Sequence, residues 1–297
     1  MKNTTKEITK RVTEGIIESL EKGVVPWKSG MKGLGQSTNF DGVPYQGFNR
    51  WILNSAVINN NFETNQWITF NRCRKEGGKV IKGSKSTEIV FWKPMVFKKK
   101  DENGEEVEKS FGFLKTFRVF NLCQTTLYNP KTFVAPKVEL NTDMAEQLIG
   151  QWNEEVNIRY GYDNMNSPYY SPLRDYINIP FGDAVEWDNN EVMHKVTFHE
   201  MIHSTGHTSR LNRFNKAQLD GEKLHSEGQY SAEELVAELG AQVLSDTCGF
   251  VQDHLEMTSA YIGSWLKHLK NNPEWVMWAS GRAEKAVDMV LKVSNLK

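Results

Sequence analysis

The stretch Val196–His207 constrains the fold and chemistry of this chain most, because it contains the pattern His199-Glu200-x-x-His203. On an α-helix, residues four apart lie on one face, so the two imidazoles can close on a single zinc ion. Glu200 is placed to act on a water at that ion rather than to bind the ion itself. Such a pattern arises by chance in on the order of one chain in a hundred. The surrounding residues must therefore decide whether it is a zinc site.

The residues before the motif predict a buried active-site helix over Glu191–Gly206. Val192, Val196, His199 and His203 follow a four-three-four spacing, so the histidines continue an apolar stripe that faces the core. A pocket-facing metal site needs this placement. The alternative is a pair of core histidines, each hydrogen-bonded to its neighbours.

A catalytic zinc needs a third protein ligand and an open position for water. Three candidates follow the motif. His207 lies about 12 Å along an ideal helix from His199, so it could join only if the chain turns at Gly206. His225 is a lone histidine in a polar loop. Glu234 lies on the next predicted helix.

That helix is predicted over Ser231–Ala241, with Ser231 as its N-cap and Glu234 at the capping-box position. The pattern Glu234-x-x-x-Glu238 resembles the Glu-x-x-x-Asp element of gluzincin peptidases, although the family usually has Asp where Glu238 stands. The resemblance implies that Glu234 is the third ligand and that Glu238 orients a ligating histidine. Because Glu238 lies nearer the apolar face, the alternative is a capping role for Glu234, with Glu238 as the ligand.

Charge divides the chain into two parts. The net charge is −1, but residues 1–135 carry a balance of +9 and residues 136–297 a balance of −10. All seven histidines lie in the second part. A basic part without histidine suits a polyanion, whereas the acidic part suits a different partner. We therefore predict two domains, 1–135 and 136–297.

The basic part begins with a predicted amphipathic helix. Ile8, Val12, Ile16 and Leu20 recur every fourth residue, and Gly23 ends the pattern. Short, aromatic, β-prone segments separated by turns follow, and they predict strands. These segments are Val80–Ile81, Glu88–Trp92 and Lys115–Phe120.

Cations and aromatic rings are interleaved around these strands. Cations that follow a phosphate backbone, combined with rings on which bases stack, are typical of single-strand binding. The alternative is a solvated basic face over an aromatic core. The candidate DNA-binding residues are Arg72, Arg74, Lys75, Lys79, Lys82, Lys85, Trp92 and Lys93.

Five motifs stand in order along the first part: Ile16–Trp27, Pro44–Asn49, Trp67–Phe70, Gly77–Gly83 and Val119–Asn121. They resemble the N-terminal domain of ArdC-type antirestriction proteins, a domain that also occurs in plasmid-encoded TraC-type primases. The resemblance continues into the C-terminal helices and implies that the first domain binds single-stranded DNA. Trp27, Tyr45 and Asn49 are candidates either for DNA contact or for a structural role.

These observations together predict an α+β fold. A basic, mixed α/β single-strand-binding domain precedes a zincin-like metallopeptidase domain with an active-site helix. The resemblance implies an antirestriction protein that protects incoming mobile-element DNA and cleaves a protein or peptide substrate, including one bound to DNA. The alternative is a non-catalytic DNA-binding shield with a structural or vestigial metal site.

Location and membrane association are predicted from what the chain lacks. Its three cysteines are far apart, and its N-terminus has no signal-peptide-like apolar stretch, which favours the cytoplasm. No apolar run is long enough to span a bilayer, so we expect no membrane partner. Tyr230 and Tyr261 are candidate phenols for stabilising an oxyanion.

Overall fold

The structure is a computed structural model that describes residues 5–27, 34–100, 106–131, 139–155, 159–161, 163, 166–180, 187–214, 227–250 and 259–296. Contacts divide the chain into two compact units, residues 1–22 with 36–134 and residues 23–35 with 135–297. Each unit contains helices and strands, so the predicted α+β class is confirmed. The predicted division after residue 135 stays a prediction, and the contacts differ from it at residues 23–35.

The first unit contains α1 (Thr5–Glu21), α2 (Phe48–Asn60) and α3 (Phe70–Lys75). The predicted first helix is confirmed, because its four apolar stripe residues are all buried and α1 packs against α2. After the helix, Gly23 has a φ of 78°. This left-handed conformation is open to glycine without a steric penalty, which explains where the pattern ends.

The sheet of the first unit has the strand order β1-β2-β4-β3. β1 pairs parallel to β2, and the other pairs are antiparallel. The longest ladder joins β3 and β4. The strands are β1 (Thr38–Asn39), β2 (Gln66–Thr69), β3 (Thr87–Lys100) and β4 (Glu106–Asn121).

Two of the three predicted strand segments in this region are confirmed as parts of β3 and β4. The predicted strand at Val80–Ile81 is wrong, since Val80 forms only an isolated bridge with Thr125. The Ser84 N–H donates to the Ile81 carbonyl at 3.1 Å. That turn ends the extended stretch before a ladder can form.

Asn49 caps the free edge of the sheet. β3 lies at the edge, where its outward peptide groups lack a strand partner. The Asn49 amide donates to the Val90 carbonyl at 2.7 Å, and its oxygen accepts from the Val90 N–H at 2.8 Å. The side chain thus mimics a neighbouring strand, and this contact gives Asn49 a structural role.

The second unit combines a small sheet with a group of helices. In the sheet, β7 lies between β5, which is parallel to it, and β6, which is antiparallel. No helix among the described residues is long and apolar enough to cross a membrane. The elements are α4 (Thr142–Glu155), β5 (Arg159–Gly161), β6 (Tyr169–Ser171), β7 (Tyr176–Asn178), α5 (Asn190–Ser204), α6 (Glu227–Thr247), α7 (Ser259–Asn271) and α8 (Glu274–Val293).

Close packing of α5 against α6 forms the centre of this unit. Phe198 and Ile202 of α5 and Leu235 and Leu239 of α6 are fully buried. At Gly240, an added Cβ would meet the Ile202 side chain at 2.9 Å. Glycine therefore permits the two helices to approach this closely.

The segment after α1 packs within the second unit. Trp27 is buried, and its ring meets that of Trp265 edge-on, with the centroids 5.8 Å apart. An indole buried in this way has little surface left for a ligand. The contact gives Trp27 a structural role in the second unit.

Candidate functional site

The two motif histidines face each other on α5. The Asn189 side chain caps this helix by accepting from the Val192 N–H at 2.9 Å. Because residues four apart share a helix face, the Nε2 atoms of His199 and His203 lie 3.1 Å apart. The helix therefore directs two imidazole nitrogens to one position.

Glu234 brings a carboxylate from α6 to the same position. Its Oε1 lies 3.1 Å from Nε2 of His203, and its Oε2 lies 3.3 Å from Nε2 of His199. These three residues form a cluster of potential metal ligands. Helices that are separate in the sequence thus supply its members.

The cluster fits a divalent metal ion. With bonds of about 2.0–2.1 Å, tetrahedral ligand atoms lie about 3.4 Å apart, close to the 3.1 to 3.3 Å that separates these atoms. Two imidazoles and a carboxylate are donors that zinc and related divalent metals accept. His199, His203 and Glu234 could therefore hold such an ion.

The same cluster attracts positive charge. Burial alone would lower the pKa of His203, but mainly the Glu234 carboxylate raises it to about 10. The pKa of His199 is raised as well, because the Glu234 carboxylate outweighs the effect of burial. Conversely, burial would raise the pKa of Glu234, but the two imidazoles hold it well below its usual range. A cation is favoured where the three groups meet.

Glu200 is buried beside the histidines. Burial raises the pKa of its carboxyl, and the imidazoles of His199 and His203 oppose this shift. The backbone amide of Tyr170 in β6 also lowers this pKa. The carboxyl therefore lies close to both the imidazoles and the small sheet.

The predicted cap at Ser231 is wrong. Helix α6 already begins at Glu227, so Ser231 lies inside it. Glu234 therefore lies beyond the first turn of α6, where the backbone N–H groups lack partners within the helix. A capping box at this position is excluded. Its carboxylate faces the histidines instead.

A second acid at the cluster, Glu233, was missed by the sequence analysis. Its Oε1 lies 3.6 Å from Nδ1 of His203, a buried atom without a hydrogen bond among the described groups. Arg213 holds this carboxylate, donating from Nη2 at 2.7 Å. It also donates to the Ile202 carbonyl at the end of α5 at 2.7 Å. An acid next to another acid on a helix gives no sequence signal of such a contact.

Glu238 contacts a tyrosine hydroxyl. The Tyr261 hydroxyl donates to Glu238 Oε1 at 3.0 Å. Tyr261 is therefore engaged with this carboxylate, whereas the Tyr230 side chain lies outside the described residues. The structure does not bring Glu238 into the cluster of His199, His203 and Glu234.

The other candidate histidines do not join the cluster. His207 contacts the Ser209 hydroxyl at 2.8 Å and lies 3.9 Å from the Asp175 carboxylate. It follows the end of α5, in the turn that begins at Thr205. His225 lies outside the described residues.

A buried arginine ties the small sheet to the end of α5. Arg210 donates from Nε to the Ser204 carbonyl at 2.7 Å and from Nη1 to Asp175 at 3.0 Å. The Tyr170 hydroxyl donates to the same carboxylate at 2.6 Å. The network therefore holds β6 against α5, the helix that carries the histidines and Glu200.

The DNA-binding candidates lie in the first unit. Arg72 pairs with Asp41 at 2.7 Å and with Glu76 at 2.8 Å, so its charge is already partly neutralised. The backbone of Trp92 and Lys93 lies in β3, but their side chains are outside the described residues. The remaining candidates are exposed: Arg74, Lys75, Lys79, Lys82 and Lys85.

Comparison with known proteins finds relatives for both parts of the chain. The family model of the N-terminal domain of anti-restriction factor ArdC matches residues 6–120, and that of zincin-like metallopeptidases matches residues 143–282. The metal-free crystal structure of antirestriction protein ArdC from plasmid R388 is 26% identical. It aligns over 97% of this chain and 98% of that one, with a TM-score of 0.72. The chain is thus ArdC-like over both of its parts, with an ArdC-type N-terminal domain followed by a zincin-like metallopeptidase domain.

Other relatives align over nearly the whole of this chain. The Mn(II)-bound structure of R388 ArdC is 24% identical, covers 96% of this chain and 97% of that one, and has a TM-score of 0.72. DNA primase TraC of Escherichia coli is 30% identical over 98% of this ArdC-type chain, which spans only 28% of the primase. The uncharacterized protein y4eC of Sinorhizobium fredii (strain NBRC 101917 / NGR234) is 27% identical, over 96% of this chain and 92% of y4eC.

Proposed function

We propose that this ArdC-type chain binds single-stranded DNA with its first unit and cleaves peptide bonds with its second, and so protects incoming mobile-element DNA. The observation that carries the peptidase is the convergence of His199, His203 and Glu234 beside the buried Glu200. A site that served structure alone would not require an acid next to its ligands.

Zinc is the metal we propose, held by His199, His203 and Glu234. Two imidazoles and one carboxylate are the ligand set of many zinc peptidases. The relative from plasmid R388 has an Mn(II)-bound structure, so Mn(II) is the alternative metal for the same three ligands. Metal competition at equal concentrations distinguishes the two, because nitrogen ligands bind zinc more tightly than manganese.

The metal and Glu200 would have different roles in hydrolysis. When bound, the metal supplies Lewis acidity that polarises a peptide carbonyl and acidifies a water. Glu200 takes the proton of the attacking water and returns it to the leaving amine. Glu200 is buried, so the surrounding core restricts its movement during both transfers. The substrate is a protein or peptide, including one bound to DNA.

Single-strand binding by the first unit is supported by its charge and its family. Exposed cations lie on α3 and on the segment that leads into β3, among them Arg74, Lys79 and Lys85. Cations of this kind neutralise phosphates and release counterions. A band-shift comparison of single and double strands across salt tests this part, and an affinity that does not fall with salt would contradict it.

The peptidase is tested by Glu200→Gln in the full chain. We expect the variant to keep its metal and lose hydrolysis of an unfolded test protein such as casein by about 10²- to 10⁴-fold. Glu191→Gln on the same helix is the matched control, because Glu191 pairs with Lys195 away from the cluster. Hydrolysis that survives Glu200→Gln would refute the catalytic role.

The second candidate function is a DNA-binding shield with a structural metal site. The exposed cations of the first unit favour this function, since binding DNA through them requires no catalysis. Restriction of incoming DNA by a host strain separates the two. Protection that persists in Glu200→Gln favours the shield, and protection that is lost while DNA affinity is unchanged favours the peptidase.

A further inference from the structure

The sheet of the first unit exposes an aromatic pair. Phe91 of β3 is 47% exposed and Phe117 of β4 is 40% exposed. Their ring centroids lie 5.0 Å apart with an interplanar angle of 84°. Large aromatic side chains are usually buried, so two in contact on a surface need an explanation.

The register of the sheet places both rings on one face. Phe117 pairs with Ile89, and Phe91 pairs with Lys115. Partners across antiparallel strands share a face, as do residues two apart in one strand. Ile89 is buried on that face, so the surface opens at the phenylalanine pair. The strand pairing therefore makes the two rings and Lys115 neighbours on one face of the sheet.

A cation stands beside the rings. The Lys115 Nζ lies 4.9 Å from the centroid of the Phe117 ring. Lys115 is exposed, and among the side chains that the structure describes no carboxylate forms an ion pair with it. The exposed Lys82 and Lys85 lie earlier in the chain, on the segment that leads into β3. Lys115 therefore places a positive charge at the pair itself.

We infer that Phe91 and Phe117 stack bases of single-stranded DNA while Lys115 neutralises a neighbouring phosphate. This inference rests on the proposed DNA-binding function of the first unit and names its site. In an edge-to-face pair the ring that presents its edge keeps its own faces out of the contact, and bases of any sequence stack on free ring faces. Bases of a duplex are already stacked on each other, so the site favours single strands. Trp92, the aromatic residue among the DNA-binding candidates, follows Phe91 directly in β3.

The test replaces rings while keeping apolar bulk. In the full chain, we expect Phe91→Leu with Phe117→Leu to weaken binding of a dye-labelled oligo-dT by about 5- to 150-fold for each base that loses its ring. The salt dependence should stay unchanged, since every cation remains. Phe117→Tyr keeps the ring and should bind like the wild type. Trp278→Leu is the matched control, because Trp278 is 38% exposed on α8 of the second unit, outside the proposed DNA-binding part.

A base analogue reports stacking directly. We expect 2-aminopurine in the oligonucleotide to be quenched by the wild type and not by the double leucine variant, with the fold of each checked by circular dichroism. If the wild type binds single strands and the double variant binds equally well, the stacking site is refuted and the DNA-binding function stands. If the wild type fails to bind single strands, both are refuted. Equal losses for single strands and duplex would indicate a contact other than stacking.

Lys115→Gln separates the cation from the rings. We expect it to weaken binding and to reduce the magnitude of the salt slope by about 0.7 for the single phosphate contact removed, while 2-aminopurine stays quenched. An unchanged slope would refute the role of Lys115. If the rings bind a partner protein instead, the ring variants would leave oligonucleotide binding and its salt dependence unchanged. That result would also overturn the inference.

Discussion

Arg213 holds the carboxylate of Glu233 beside His203, one of the three potential metal ligands. It donates from Nη2 and Nε at 2.7 to 3.2 Å, and both groups are almost completely buried. The same carboxylate faces Nδ1 of His203 at 3.6 Å. When Nε2 of a histidine binds a metal, its Nδ1 carries the proton and needs an acceptor. Glu233 is placed to be that acceptor.

Glu233→Gln should therefore weaken zinc binding by about 10- to 100-fold, because the amide is a poorer acceptor for His203. Competition with a chromophoric chelator measures the affinity. Glu146→Gln, an exposed change on α4, should bind zinc like the wild type. Equal affinities of Glu233→Gln and the wild type would show that Glu233 does not orient the histidine.

Gly240→Ala should disturb the site from outside it. The added methyl would meet Ile202 at 2.9 Å, so we expect a loss of about 1–3 kcal/mol of unfolding free energy and weaker metal binding as α6 moves away from α5. Ile202→Ala in the same chain should restore part of both. Gly281→Ala on α8 meets nothing within 4 Å, and this control should be neutral or slightly stabilising.

Asp175 makes the second unit sensitive to acid. Although burial would raise its pKa, hydrogen bonds from Arg210 and Tyr170 lower the pKa below its ordinary value. A lowered folded pKa contributes stability that is present above the unfolded value of about 3.9 and is lost as the pH falls through the folded value. Asp175→Asn should therefore reduce stability at pH 7 by about 1–3 kcal/mol and flatten its decline below pH 4.

Urea unfolding at pH 7 and at pH 3 measures this effect. Asparagine tolerates the φ of 45° at position 175, so the change removes the charge without adding backbone strain. Asp188→Asn, at an exposed position, is the control and should leave both values unchanged. A variant as stable as the wild type at pH 7 would show that the Asp175 carboxylate does not stabilise the second unit.

Asn49→Asp should destabilise the first unit by about 1–3 kcal/mol. The carboxylate cannot donate to the Val90 carbonyl, which would leave that edge group of β3 without its partner. Asn71→Asp on the exposed side of α3 is the control. At a temperature where the variant is folded, oligonucleotide affinity should match that of the wild type, and a specific loss of affinity would instead make Asn49 a DNA contact.

Local patterns predicted the parts of the site that belong to one helix. The spacing of Val192, Val196, His199 and His203 was enough to predict a helix at α5, because helix periodicity is a local property. The predicted burial of this stripe is wrong in part, since Val192, Val196 and His199 are only half-buried and the core-facing side of α5 carries Phe198 and Ile202 instead. Glu234 came from a family resemblance rather than from the pattern of charges. The prediction of an N-cap at Ser231 is wrong because the residues before it already belong to the helix.

Contacts between distant residues could not be predicted in this way. Arg213 reaches Glu233 only because the chain folds back after α5, and nothing in either residue's neighbours marks the pair. Asn49 and Val90 lie far apart in the sequence, and only the strand order reveals that β3 has a free edge. The exposure of Phe117 likewise depends on where the core ends, which alternation along a strand does not specify.

The most direct test of the metal centre is the anomalous scattering of zinc in crystals of the full chain grown or soaked with zinc. We predict one strong peak within about 2.0–2.2 Å of Nε2 of His199, Nε2 of His203 and a carboxylate oxygen of Glu234. That peak should be weakened or lost in Glu234→Ala and kept in Glu238→Ala. A peak at the two histidines that survives Glu234→Ala, or that is lost in Glu238→Ala, would contradict the proposed ligand set.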